Sequence, residues 1–125
     1  MNIVYMSLTG QTHKFIEKVK KKISINCLYI KDENDYIEIN ENFICIIPTY
    51  DKASLSIIES FIEYKNNKSF LRGVVGSGNR NFNTLFCISA KYISDKYAVP
   101  LLHCFEFQGS EKDVDIVISE VKRIG

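Results

Sequence analysis

Phe70-Leu71-Arg72-Gly73-Val74-Val75-Gly76-Ser77-Gly78-Asn79-Arg80-Asn81-Phe82 is the stretch that decides how this chain is read. Gly73, Val74 and Val75 lead into Gly76, Ser77 and Gly78. A short buried strand therefore runs straight into a turn whose glycines are free to adopt positive φ and to let a flat ligand approach the backbone. Asn79, Arg80, Asn81 and Phe82 add amide donors, a fixed positive charge and an aromatic face, just ahead of a helix-like segment from Asn83. In an open α/β sheet, ligands sit beyond the carboxyl ends of the strands, which is where this loop falls. A tight strand-to-helix turn without a ligand accounts for the same residues equally well. A Gly-x-Gly pair is common, and Asn81 stands where a dinucleotide fingerprint needs its third glycine.

Outward from that stretch, the totals bound the possibilities. The 125 residues make a single domain, 1–125, large enough to bury about two-thirds of its unfolded surface without staples. Sixteen basic against fifteen acidic side chains leave a net charge of +1, which points away from nucleic acid or an anionic membrane and towards a small ligand or a protein partner. The apolar run from Ile3 to Met6 is too short for a signal peptide or a membrane span, so the expectation is a soluble cytoplasmic protein. Cys27, Cys45, Cys87 and Cys104 fall one per apolar segment without C-x-x-C spacing, and read as buried small hydrophobes. His13 and His103 lie in different elements. Neither stands beside a Ser or Cys in a nucleophile motif, so hydrolase chemistry has no support.

Ile3 to Met6 suits a strand covered on both faces, followed at once by Ser7-Leu8-Thr9-Gly10-Gln11-Thr12. After it, Phe15, Ile16, Val19 and Ile23 recur at helical spacing opposite a lysine-rich face whose end, Lys20 to Lys22, complements the helix dipole. Free N–H groups at that helix start, three hydroxyls and one glycine predict a phosphate site. The plainer alternative is that Thr9 or Thr12 caps the helix. Ile25 to Ile30 predicts a second strand, joined by an acidic connection with little helix to a third at Phe43 to Ile47, closed by Pro48. Thr49-Tyr50-Asp51-Lys52-Ala53-Ser54 is a polar loop with an aromatic ring at the strand's carboxyl end.

Leu55, Ile58, Phe61 and Ile62 stripe a second helix, with Ser56 and Glu59 spaced as a capping box and Asn66 and Asn67 at its end. Phe86, Ala90 and Ile93 mark the inner face of a third helix ending near Asp95. Leu101 to Phe107 is a fifth strand in which His103 is structural. Ser110 and Asp113 box the start of a last helix carrying Val114, Val117, Ile118, Val121 and Ile124. The alternation predicts an α/β three-layer sandwich, a five-stranded parallel sheet in the order 2-1-3-4-5 between helices. Strands 1, 3 and 4 are then neighbours, and their loops meet at one edge. Phosphate donors in the first loop and flat-ring contacts in the other two make flavin mononucleotide (FMN) the simplest fitting ligand. NAD would call for Gly-x-Gly-x-x-Gly after the first strand, which is missing.

Ser7 to Thr12 resembles the phosphate loop of flavodoxins, and Pro48-Thr49-Tyr50 the start of their second flavin loop. Arg72 to Phe82, with Val99-Pro100-Leu101-Leu102-His103 and Phe105 to Val114 downstream, is similar to the NrdI family, the short flavodoxin-like proteins of class Ib ribonucleotide reductase systems. The resemblance implies a flavodoxin-like fold and non-covalent FMN. It also implies an activase role, in which reduced flavin and dioxygen yield superoxide for the dimanganese-tyrosyl radical site of the reductase's small, radical-generating subunit. A flavin or thiol reductase would be the electron donor, and a general flavodoxin electron shuttle is the alternative. Carried over by position, Ser7, Leu8, Thr9, Gly10, Gln11 and Thr12 hold the phosphate. Thr49, Tyr50 and Asp51 line one side of the isoalloxazine, and Ser77, Gly78, Asn79 and Phe82 the other; Arg80 has no assigned role. Two departures stand out. Asp51-Lys52-Ala53-Ser54 has no glycine where family members commonly have one, so positive φ there costs about 1 kcal/mol. Asn83 stands in place of a frequent glycine.

Overall fold

Strands buried on both faces need apolar residues at consecutive positions, and the centre of this chain supplies them. The structure is a computed structural model that describes residues 1–7, 9–49, 52–79 and 87–125. Strands β1 (Asn2–Tyr5), β2 (Asn26–Tyr29), β3 (Phe43–Pro48), β4 (Leu71–Gly78) and β5 (Leu101–Glu106) form one parallel sheet in the order β2-β1-β3-β4-β5, as expected. Helices α1 (Gln11–Lys22), α2 (Lys52–Glu63), α3 (Ile88–Tyr97) and α4 (Glu111–Ile124) cover it. Because side chains alternate across a strand, Val4, Cys45, Ile47 and Val74 face the layer of α2 and α3, packing on Ile58, Phe61, Ala90 and Ile93. Ile3, Tyr5, Ile44, Ile46 and Val75 face α1 and α4, against Phe15, Val19, Val114 and Val117. No helix among the described residues is long and apolar enough to cross a membrane.

Several local expectations change. Gly76, Ser77 and Gly78 are not a turn: they continue β4, opposite Cys104, Phe105 and Glu106 of β5. Gly76 and Ser77 are held extended by β3 and β5 together, and Gly78 by β5. Helix α2 starts at Lys52, so Ser56 and Glu59 lie inside it rather than in a capping box, and Glu59 instead accepts from Tyr92 and Lys96 of α3. It ends at Glu63, ahead of Asn66 and Asn67, with Lys65 in the left-handed region. Helix α3 runs to Tyr97, two residues past Asp95, and closes on left-handed Ala98. The expectations for Asn83 and Phe86 lie outside the described residues. Of the cysteines, Cys45 and Cys87 are buried, Cys27 and Cys104 half-buried, and none is in a disulfide.

The acidic connection holds only a 3-10 turn, Glu33–Asp35, boxed by Asp32. Its remainder is pinned by Asn67, which sequence pattern marked only as a helix end. Asn67 is fully buried; its Oδ1 accepts from Ile39 N–H at 2.7 Å, and its Nδ2 donates to the carbonyls of Ile37 and Phe61, each at 3.0 Å. One amide thus satisfies the backbone of an irregular segment that no strand pairs.

The Ser110–Asp113 box forms as expected. Ser110 Oγ accepts from Asp113 N–H at 3.1 Å and Asp113 Oδ2 from Ser110 N–H at 2.8 Å. The other carboxylate oxygen, Oδ1, meets His103 Nε2 at 2.7 Å and ties the middle of β5 to α4. Partial burial works against the Asp113 charge, but the hydrogen bonds from Ser110 and His103 prevail and hold its carboxyl below the usual range.

Truncating Asn67 removes the partner of Ile39 N–H and the side-chain donor to Ile37 C=O, while Phe61 C=O keeps its bond from Tyr64 N–H. Asn67→Ala is expected to lose about 2–4 kcal/mol of stability by urea denaturation; a loss below about 1 kcal/mol would mean that water replaces the amide.

Candidate functional site

The carboxyl ends of β1, β3 and β4 lie side by side, because β1 and β4 both pair with β3 in parallel. The first contributes Ser7 to Thr12. Gly10 is the N-cap of α1, at φ 88° and ψ −8°, and makes no side-chain cap bond. Gly10 holds the cap position, with Thr9 exposed ahead of it and Thr12 inside the helix, so neither threonine is the N-cap that the plainer reading required. A Cβ added at Gly10 would meet nothing within 4 Å, so glycine is needed here for its backbone angle and the space beside it is open.

The first N–H groups of a helix have no partner within it, and in α1 the first bond back to the cap is Lys14 N–H to Gly10 C=O at 3.2 Å. Of the earlier groups, His13 N–H goes to Ser7 Oγ at 3.4 Å. Gln11 Oε1 is the one buried side-chain polar atom among the described residues that has no hydrogen-bond partner. Leaving such an acceptor unmatched is costly, which marks the helix start as a place for something further to bind.

Ser77 joins the start of α1 to the ends of β3 and β4. Its Oγ lies 3.5 Å from Oγ1 of buried Thr12, and its carbonyl accepts from Thr49 Oγ1 at 2.8 Å. The register places Ser77 opposite Pro48 and Phe105. Gly78 C=O accepts from Phe107 N–H at 3.0 Å, and half-buried Asn79 follows. Of the expected site residues, Ser7, Thr9, Gly10, Gln11, Thr12, Thr49, Ser77, Gly78 and Asn79 lie at this edge. Leu8, Tyr50, Asp51 and Phe82, like Arg80, lie outside the described residues.

Gly76 has a different purpose from the one expected. A Cβ there would stand 2.6 Å from Cys87 Sγ and 3.0 Å from Ala90 Cβ, so its missing side chain lets the start of α3 press onto the sheet. Gly73 is likewise filled, by Leu102 at 2.7 Å. The unassigned neighbours are aromatic. Tyr5 and Tyr29 stack with centroids 5.3 Å apart, and His13 is edge-on to both. Strand ends carrying tyrosine were visible in the sequence, but their shared register was not.

A doubly wound five-stranded parallel sheet in which β1, β3 and β4 end side by side, with Thr12, Thr49 and Ser77 hydrogen-bonded at that edge, defines a flavodoxin-like protein. A short-chain flavodoxin associated with a non-canonical PDU bacterial microcompartment shares the fold, at a TM-score of 0.70 and 14% identity over 98% of this chain and 94% of that one. The model of the NrdI flavodoxin-like family matches residues 3–119, and the chain belongs to that family. Protein NrdI of Wigglesworthia glossinidia brevipalpis is 38% identical over 118 residues, spanning 90% of this chain and 82% of the relative. A putative NrdI-like protein of Streptococcus pneumoniae strain R6 is 34% identical over 136 residues, spanning 91% and 87%.

The two glycines of β4 make a paired prediction. Gly76→Ala must displace Cys87 and Ala90 at the root of α3 and is expected to lose about 1–3 kcal/mol, as overpacked cores do. Gly73→Ala meets the movable end of one leucine and is expected to lose less. Thermal unfolding of both variants checks the order; the reverse order would place the tighter contact at Gly73.

Proposed function

We propose that this chain binds FMN without covalent attachment, with the phosphate on the turn from Ser7 to Thr12 and the isoalloxazine between the loops that follow β3 and β4. The observation that carries the reading is Ser77, whose hydroxyl and carbonyl connect Thr12 and Thr49, so that the three segments assigned to one ligand are physically joined. The residues fit the group. Gly10 leaves open space at a left-handed turn, the first turn of α1 offers N–H donors, Thr9 is exposed with its hydroxyl unused in capping, and Gln11 has a buried oxygen awaiting a donor. A ribityl hydroxyl is a donor of the kind that oxygen lacks. Leu8, Tyr50, Asp51 and Phe82 are assigned to the flavin by position in the family pattern.

When bound, FMN supplies reversible storage of electrons and their transfer, one at a time, to dioxygen. The chain's residues orient and shelter it: α1 and the hydroxyls fix the phosphate, while Thr49, Ser77, Gly78 and Asn79 offer backbone and side-chain groups to the ring. Family membership supports the further step, in which superoxide passes to the small, radical-generating subunit of a class Ib ribonucleotide reductase and assembles its dimanganese-tyrosyl radical. A flavin or thiol reductase would recharge the flavin.

In a flavin-fluorescence titration, the folded protein is expected to bind one FMN and to prefer it to riboflavin; folded protein that binds no flavin would end this reading. Gly10→Asp tests the phosphate position, with Gly10→Asn, which carries the same backbone strain at φ 88° without the charge, as its control. A carboxylate beside a phosphate should weaken FMN binding about a hundredfold or more, using roughly 4 kcal/mol for like charges 4 Å apart at a protein surface. Unchanged affinity would place the phosphate elsewhere. For the activase step, pre-reduced protein is added with dioxygen to a manganese-loaded small subunit and tyrosyl radical is read by electron paramagnetic resonance. Radical is expected only when the FMN-loaded protein is present; its absence would leave the electron shuttle.

A further inference from the structure

Beneath the phosphate turn lies a wall of three rings that the proposed FMN site does not use. The β1–β2 register sets Tyr5 opposite Tyr29, and the two rings stack 5.3 Å apart at 28°. His13, the third residue of α1, closes the cluster, edge-on to Tyr29 at 4.5 Å and to Tyr5 at 5.3 Å. Each polar tip has a distinct partner. Tyr5 O–H pairs with His13 Nδ1 at 3.0 Å, and burial pushes the Tyr5 hydroxyl pKa up, so the hydroxyl keeps its proton. Tyr29 O–H leaves the cluster and donates to Ser7 C=O at 3.3 Å. His13 N–H meets Ser7 Oγ at 3.4 Å. Both polar ends of Ser7 are therefore held by residues of this wall.

We propose that Tyr29 is a positioning residue for the phosphate turn: by holding Ser7 C=O towards β2, it keeps a carbonyl oxygen from facing the bound phosphate. The inference rests on the phosphate reading given above. An anion site is built from N–H and O–H groups, and one carbonyl rotated into it sets partial negative charge against the phosphate. Ser7 lies two residues past Tyr5, the last residue of β1, and among the described residues no backbone N–H bonds its carbonyl; Met6 N–H to Ile46 C=O, at 3.3 Å, is the last described backbone bond from this segment to β3. Tyr29 supplies the restraint from the neighbouring strand, without touching the ligand.

The test compares FMN with riboflavin, which lacks the phosphate, on wild type and Tyr29→Phe. Phenylalanine keeps the ring contacts and removes only the hydroxyl. Loss of one neutral hydrogen bond is expected to lower FMN affinity about three- to tenfold. Riboflavin affinity should stay within about twofold, and unfolding of the flavin-free protein should be little changed. An equal fall for both flavins would show a general structural role and overturn the proposal, as would no change for FMN. Wild type that binds both flavins equally would overturn the phosphate site itself, and this role with it. Wild-type preference for FMN that survives unaltered in Tyr29→Phe would overturn the positioning role alone.

Discussion

Parallel pairing of β1, β3 and β4 with apolar side chains on both faces is the constraint from which the rest of this structure follows. A parallel strand cannot return through a tight turn, so every connection must cross over one face of the sheet and cover it. Phe43 to Ile47 shows the result: five consecutive residues with no exposure, shared between two helical layers. With both faces closed, polar groups concentrate at the strand ends. Because Pro48 and Ser77 are register partners, the carboxyl ends of β3 and β4 lie level. Hydroxyls at that level then bond between elements, and Thr12 of α1, Thr49 and Ser77 do so.

Glycine has opposite uses in the two halves of the site. Gly10 takes a left-handed angle beside open space, while Gly76 is extended and crowded by Cys87 and Ala90. The first leaves open space at a helix start; the second removes a side chain so that α3 can approach β4. Sequence spacing treats both alike, since Gly-x-Gly reports only that a Cβ is missing and not what fills its place. The third case is Gly109, left-handed and backed by Phe15, which stacks on Phe105 at 4.1 Å; this single residue meets both requirements at the turn from β5 to α4.

What was legible in the sequence was the part set by periodicity. Continuous apolar runs gave the strands, 3.6-residue stripes gave the helices, and Ser110 with Asp113 gave a cap at the right residue. The start of α1 after β1 was legible because its residues, Ser7 to Thr12, are contiguous. Less was readable wherever a long-range partner decides. Ser56 and Glu59 have capping spacing, but Lys52 already lies within the helix and Glu59 is drawn to Tyr92 and Lys96. Asn67 looked like a helix terminator, and its purpose emerges only where Ile37 and Ile39 pass beside it. The Tyr5–His13–Tyr29 wall needs the β1–β2 register, which no local pattern encodes.

Backbone strain is also placed with respect to this site. Lys65, Cys87, Ala98 and Phe107 are the described non-glycine residues at positive φ, and each sits at the end of a helix or strand. Such a conformation costs on the order of 1 kcal/mol or more, so it persists only where neighbours hold it. Cys87, with its Sγ against Gly76, begins α3, while Phe107 gives its N–H to Gly78 C=O. Both therefore act on the last three residues of β4, one from the helix above and one from the next strand. The end of β4 is consequently specified from three sides: by Thr49 through Ser77, by Cys87 through Gly76 and by Phe107 through Gly78. A strand end built only for the core would not need so many constraints. One that would present Ser77, Gly78 and Asn79 to the flat ring proposed above does, because small errors in position there would displace every donor along the ring edge.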